Sequence, residues 1–283
     1  MELLLEPFSY MYMQKAIAMC TIVGSVCAFL SSYLMLKGWS LMGDALAHAV
    51  VPGVALAYIL ALPYAFGAFF AGLFAALSMS VIKQKTKLRE DAVIGIVFTT
   101  FFALGLLMVS FYPTSVNIQA IILGNILAIS DEDILQVTLI SVICLIILML
   151  KWKDFMAVFF DENHARSIGL NVEILKIIFF VLLSAATVAA LQTVGACLVI
   201  ALVVTPGATA YMLTDRFGKL IIISVALGTM TSAFGAYISY FLNVPPGGLI
   251  VTLQTLVFIG AFLFAPKYGL VKHRRKTPSE GIA

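Results

Sequence analysis

The sequence predicts an all-α polytopic membrane protein of eight or nine transmembrane helices, and three observations carry that prediction. Of 283 residues, 62% are hydrophobic and only 11% are charged, against about a quarter charged in a soluble domain; mean hydropathy is +1.09. Apolar runs of about 17 to 25 residues, the length that crosses a bilayer, follow one another with short gaps. The basic residues gather in alternate connections, as cytoplasmic loops require. No polar connection is long enough to hold a separate soluble domain, so residues 1–283 are expected to form one transmembrane domain with a cytoplasmic tail at 267–283. The formal net charge of +3 is too small to argue for nucleic acid.

The runs fall at 14–36, 41–62, 64–82, 92–112, 133–150, 172–193, 196–213, 220–241 and 249–266. Ahead of the first, Glu2 and Glu6 stand where a cleaved signal peptide would carry basic residues, so none is expected. Cys20 and Cys27 in the first run, with Cys144 and Cys197 later, lack any C-x-x-C spacing and read as small buried hydrophobes. In the third run Gly67 and Gly72 are expected to permit close helix packing, as are Gly228 and Gly235 in the eighth. Lys83, Lys85, Lys87 and Arg89 join the third and fourth runs as a topology-setting loop. The next connection, 113–132, has no Lys or Arg and ends in acids, so it lies outside. Its Asn117, Gln119 and Asn125, like the intramembrane Gln192 and Gln254, are expected to bridge helices.

The connection from Lys151 to Asn171 mixes charges with aromatic residues. Asp161 and Glu162 can open a short helix there, placing acids at its positive end, and Gly169 can stop it. Composition leaves two uses open, docking of a soluble partner or rest on lipid headgroups. His164 in this loop is expected to be solvated. Thr205-Pro206-Gly207 interrupts the seventh run: Pro206 cannot donate to the Leu202 carbonyl, and such breaks often flank a transport path. Pro245-Pro246-Gly247-Gly248 is expected to be a tight outer turn. With Arg216, Lys219 and the tail, 14 of the 17 basic residues share one side, which is therefore cytoplasmic. Nine spans put the N-terminus outside; eight put it inside.

Ionisable chemistry concentrates at the head of the second run, Gly43-Asp44-Ala45-Leu46-Ala47-His48-Ala49-Val50-Val51-Pro52-Gly53. Asp44 and His48 lie one turn apart, about 6 Å along a helix axis and on one face. A carboxylate oxygen and an imidazole nitrogen can converge there on one divalent transition metal. The same spacing also suits a helix end at the surface, with Asp44 solvated and His48 bonded to a neighbour. Pro52 cannot donate to the His48 carbonyl, so a kink and a free acceptor are expected. Ionisable groups inside a bilayer mark functional paths. Enzyme signatures are missing: no G-x-x-x-x-G-K-[ST], no H-E-x-x-H, no G-x-S-x-G and no G-x-G-D. Transport is the class that remains.

The stretch from Lys37 to Gly53 resembles the G-D-A-[LI]-[SA]-H-[SA]-x-x-P-G signature of the permease family of ABC importers for manganese, zinc and iron. Residues 160–169 are similar to that family's coupling segment, and 202–210 and 252–266 to its later helices. The wording of 117–124 and 159–170 is nearest to the enterobacterial-type iron/manganese permeases. The resemblance spans essentially the whole chain and implies a type II importer-like permease of the bacterial inner membrane, not itself an enzyme. It implies Asp44 and His48 as metal ligands on the path, and Pro52, Gly53, Thr205, Pro206 and Gly207 as path or hinge residues. Phe160, Asp161, Glu162, Arg166 and Gly169, within 153–170, are implied to couple to an ATPase. It further implies a separate ATP-binding cassette subunit, an outer metal-binding protein, a second permease copy in a homodimer, and surrounding lipid. No permanent cofactor is implied; the metal, Mn²⁺ or Fe²⁺ with Zn²⁺ as the alternative, is cargo. An imidazole must be neutral to bind a metal, so contact is expected to fail in acid. A gradient-driven carrier is the alternative from another class, but it would bring more intramembrane acids than Asp44 and the peripheral Glu173.

Overall fold

The computed structural model describes residues 2–111 and 130–265; Asn117, Gln119, Asn125 and the tail lie outside these. The described residues form α1 (Glu2–Ser9), α2 (Met11–Lys37), α3 (Met42–Ala49), α4 (Val51–Ile59), α5 (Tyr64–Lys85) and α6 (Glu90–Phe111). After the gap come α7 (Asp131–Phe160), α8 (Glu162–Ser167), α9 (Val172–Val194), α10 (Ala196–Leu213), α11 (Phe217–Leu242) and α12 (Pro246–Phe264). Among the described residues, eight helical stretches are long and apolar enough to cross a membrane, Met42–Ile59 counted as one, and Leu198–Leu213 is a shorter apolar helix.

All nine apolar runs are helical, because a backbone in lipid must satisfy its own hydrogen bonds. Their ends differ from expectation in physically informative ways. α7 continues ten residues past the apolar run, through Lys151 to Phe160. At about 1.5 Å per residue it is roughly 45 Å long, so its last turns stand clear of the hydrocarbon. Buried Phe155, Val158 and Phe159 hold that extension. Only 161–170 of the cytoplasmic connection is therefore separate from the span. Pro246, Gly247 and Gly248 are the first turn of α12 and not a turn between helices; the reversal is made by Asn243, left-handed at φ 53°, which closes α11. Proline at the start of α12 loses no intrahelical donor.

α2 and α9 are the most buried spans, whereas α6, α7 and α12 turn most of their apolar surface outward, as lipid-facing helices do. Small residues allow the close approaches. A Cβ on Gly228 would stand 2.4 Å from Ala28 Cβ, one on Gly72 2.7 Å from Ser184 Oγ, and one on Gly235 2.4 Å from Ile250 Cγ1. Cys20, Cys27 and Cys144 are free and buried. Gln254 bridges α12 to α11 by donating to Thr231 Oγ1 at 3.2 Å, while Gln192 Oε1 has no hydrogen-bond partner among the described residues.

Contacts also sort the helix ends. Lys15 near the start of α2 pairs with Asp131 at the start of α7, and Tyr240 near the end of α11 donates to Glu6 of α1 at 3.1 Å. The end of α2 meets α8 through Lys37 and Glu162. α1 thus lies at the end opposite to the basic connections.

Candidate functional site

α3 presents Asp44 in its first turn and His48 in its last. A carboxylate in the first turn is favoured by the positive helix end. His48 Nε2 stands 3.4 Å from Asp44 Oδ1, with the two side chains 32% and 42% exposed. That gap is long for a hydrogen bond. Donors about 2.1 Å from one cation at tetrahedral angles lie roughly 3.4 Å apart, so the separation is compatible with a shared ion. The remaining residues of α3 lock its rotation: Gly43, Ala45, Leu46, Ala47 and Ala49 are buried, and a Cβ on Gly43 would meet Val203 Cγ1 of α10 at 2.9 Å. The His48 ring sits edge-on to Phe98 and Phe102 of α6, centroids 5.7 and 5.6 Å away. These phenylalanines lie eight and twelve residues past Glu90, roughly 12 and 18 Å into the bundle from the basic end. Among the described residues no group of three or more His, Cys, Asp or Glu converges; Asp44 and His48 stand as a pair.

The break in the second span falls at Val50, with Pro52 in the first turn of α4. The His48 carbonyl is not left free: the Val50 N–H donates to it. Gly53 lies at the crossing of α4 and α5, where a Cβ would stand 2.1 Å from the Gly67 carbonyl oxygen and Gly67 would meet Gly53 likewise. α10 carries Pro206 without losing its helix, and Ser31 of α2 stitches the backbone on either side of that proline to α2. Ser31 Oγ donates to the Val204 carbonyl at 3.1 Å and accepts from Gly207 N–H at 3.0 Å. Gly207 is required there, since a Cβ would lie 2.6 Å from the Ser31 carbonyl oxygen. Thr205 is partly buried, two residues beyond the Val203 contact with α3.

The residues from 160 to 169 are gathered elsewhere, at the basic end. Asp161 caps α8, its Oδ1 accepting from Asn163 N–H at 2.9 Å and His164 N–H at 3.2 Å. Gly169 at φ +86° reverses the chain after it, a conformation that costs most side chains energy. Phe160 is 75% exposed, Ile168 55%, and His164 is exposed. Arg166 pairs with Glu173 at 3.0 Å. Glu162, by contrast, turns inward: Lys176 of α9 donates to it at 2.7 Å and Lys37 at 3.3 Å. Burial pushes its carboxyl up, but the Lys176 hydrogen bond and charge, joined by Lys37, outweigh burial and hold it below the usual glutamate range.

Sequence reasoning missed Phe98, Phe102, Ser31, Lys37, Trp39, Glu90 and Lys176. Only Lys176 left a signal, as a lone cation in an apolar run; it is 8% exposed and needs a partner to be there.

The model of the ABC 3 transport family matches residues 9–265. Over 277 residues the chain is 67% identical to the "Chelated iron transport system membrane protein YfeC" of Yersinia pestis, covering 98% of this chain and 94% of that one. It is 47% identical over 268 residues to the "Manganese transport system membrane protein MntB" of Synechocystis, covering 95% and 88%. A chain in the solved structure of PsaBC from Streptococcus pneumoniae in complex with Fab superposes with a TM-score of 0.82 at 34% identity, covering 94% of this chain and 96% of that one.

Proposed function

The chain belongs to the ABC 3 transport family, and from that membership we infer that it is the membrane subunit of an ATP-driven importer carrying manganese or iron across the bacterial inner membrane. Relatives named for iron and manganese systems support that choice of cargo. Affinity order alone would favour zinc over manganese on the same donors, so geometry and the delivering protein must set the preference. The observation that carries the reading is the 3.4 Å gap between Asp44 and His48 on a half-open face. Two donors hold a divalent ion poorly, and a second copy of the chain would supply two more. A homodimer with both pairs near its axis completes a mixed oxygen and nitrogen shell.

The chain has no phosphate-binding loop, so an ATP-binding cassette subunit supplies the energy, docking through 153–170 by exposed Phe160 and Ile168. An extracytoplasmic metal-binding protein delivers the ion to the outer end. Docking, transfer to the Asp44/His48 set, and inward opening on closure of the ATPase dimer form one alternating-access cycle. Thr205 to Gly207, held against Ser31 of α2, and Pro52 and Gly53, at the α4–α5 crossing, are where the two helices can bend or slide.

Asp44→Asn and His48→Ala should each cut ATP-dependent manganese and iron uptake at least tenfold while leaving co-purification with the ATPase subunit unchanged. Uptake at the unsubstituted level in both variants would discard the assignment. Competition by zinc in the same assay ranks the cargo.

A further inference from the structure

Glu162 ties α8 to the last residue of α2. Lys37 ends that helix, Gly38 turns left-handed at φ +76°, and Trp39 follows with its N–H on the Leu34 carbonyl at 2.8 Å. Trp39 is then held on three sides. Its Nε1 donates to Glu90 Oε2 of α6 at 2.7 Å, its ring stacks on Phe180 of α9 at 5.8 Å, and Phe159 of α7 meets it edge-on at 5.7 Å. Its carbonyl accepts from Met42 N–H at 3.1 Å, and Met42 opens the helix that carries Asp44. An unbroken series of contacts therefore runs from the cytoplasmic segment to the metal pair. A cavity of about 320 Å³ lies along it, lined by Lys37, Trp39, Met42, Glu90, Glu162 and Lys176 among others. Packed interiors resist displacement, and this void leaves room for one. Lys37 and Lys176 face Glu162, while Lys83 approaches Glu90 at 3.7 Å, so the cavity's charges answer one another and it reads as a joint between elements, not a ligand pocket.

We propose that Lys37, Trp39 and Glu90 are positioning residues that relay displacement of the 161–170 segment to the Asp44/His48 helix, Glu162 pulling on α2 and Trp39 passing the shift into the first turn of α3. The inference rests on the importer reading above. A chain of contacts is not by itself a coupling, so the test measures coupling directly.

Hydrogen exchange is followed in the full chain assembled with its ATP-binding subunit in lipid nanodiscs, with and without a nucleotide that closes that subunit. In the unsubstituted complex, exchange should change both at 161–170 and at 42–49. Trp39→Phe keeps the stacked ring and removes only the Nε1 donor; Lys37→Met keeps the apolar stem and removes the charge. In each, the change at 161–170 should persist and that at 42–49 should fall at least fivefold, and adding Glu162→Gln to Lys37→Met should reduce the change at 42–49 no further, as for residues acting through one another. Should Trp39→Phe fail to assemble, Glu90→Leu removes the acceptor of the same hydrogen bond from the other side. Full transmission to 42–49 in the variants, additive losses, or an unsubstituted complex whose change stops at 161–170 would each overturn the proposal. Absence of ATP-dependent manganese or iron import by the unsubstituted complex strikes the importer reading instead.

Discussion

Single side chains in this protein do their work by answering groups far away in the chain. Ser31 bonds the Val204 carbonyl and the Gly207 N–H, the latter 176 residues distant, and so ties α2 to the backbone on both sides of Pro206. Glu162 is the residue whose electrostatics are readable in solution, since it lies outside the spans. Its carboxyl is held low by two lysines against the opposing effect of burial. A folded-state value below the unfolded one means that its contribution is complete above the ordinary glutamate value, about 4.3, and is lost as pH falls through the lower folded value. Exchange at 161–170, corrected for intrinsic rate, should therefore stay constant as pH drops through that ordinary value and rise only below it, whereas Glu162→Gln should exchange fast throughout. A rise already complete at the ordinary value would show that the lysine contacts do not hold in solution.

At the scale of elements, helix crossings are set by residues with almost no side chain, because lipid offers no hydrophobic drive for helices to associate. The α4–α5 crossing tests this. A methyl at Gly53 would lie 2.1 Å from the Gly67 carbonyl oxygen, while nothing stands within 4 Å of one at Gly95 in α6. Gly53→Ala must push the helices apart, at a cost of roughly 1 to 3 kcal/mol or more; Gly95→Ala should gain up to about 1 kcal/mol from helix propensity. Thermal unfolding in detergent should move in opposite directions for the two. Equal shifts would mean that the crossing is looser than it stands here. The same scale explains a missed boundary: Lys151, Lys153 and Asp154 end the apolar run but not α7, whose further turns are kept by Phe155 and Phe159 packing on Tyr33 and Phe179.

For the molecule as a whole, the contacts of Glu6 and Lys15 put α1 opposite the basic connections, so positive charge inside places the N-terminus outside. A membrane-impermeant thiol reagent applied to intact cells should label Leu5→Cys and spare Lys87→Cys; the reverse pattern would invert the topology. Nine apolar runs and the sharing of one helical face by Asp44 and His48 were determined by sequence alone. The reason is that each membrane helix closes its own backbone hydrogen bonds and its residues meet at i, i+4 whatever surrounds them. The setting of His48 between Phe98 and Phe102, the stitch at Pro206 and the capture of Glu162 by Lys37 and Lys176 were decided only by tertiary structure. Those contacts depend on which helix faces meet, and uniformly apolar helices carry no periodic pattern from which a facing partner can be read.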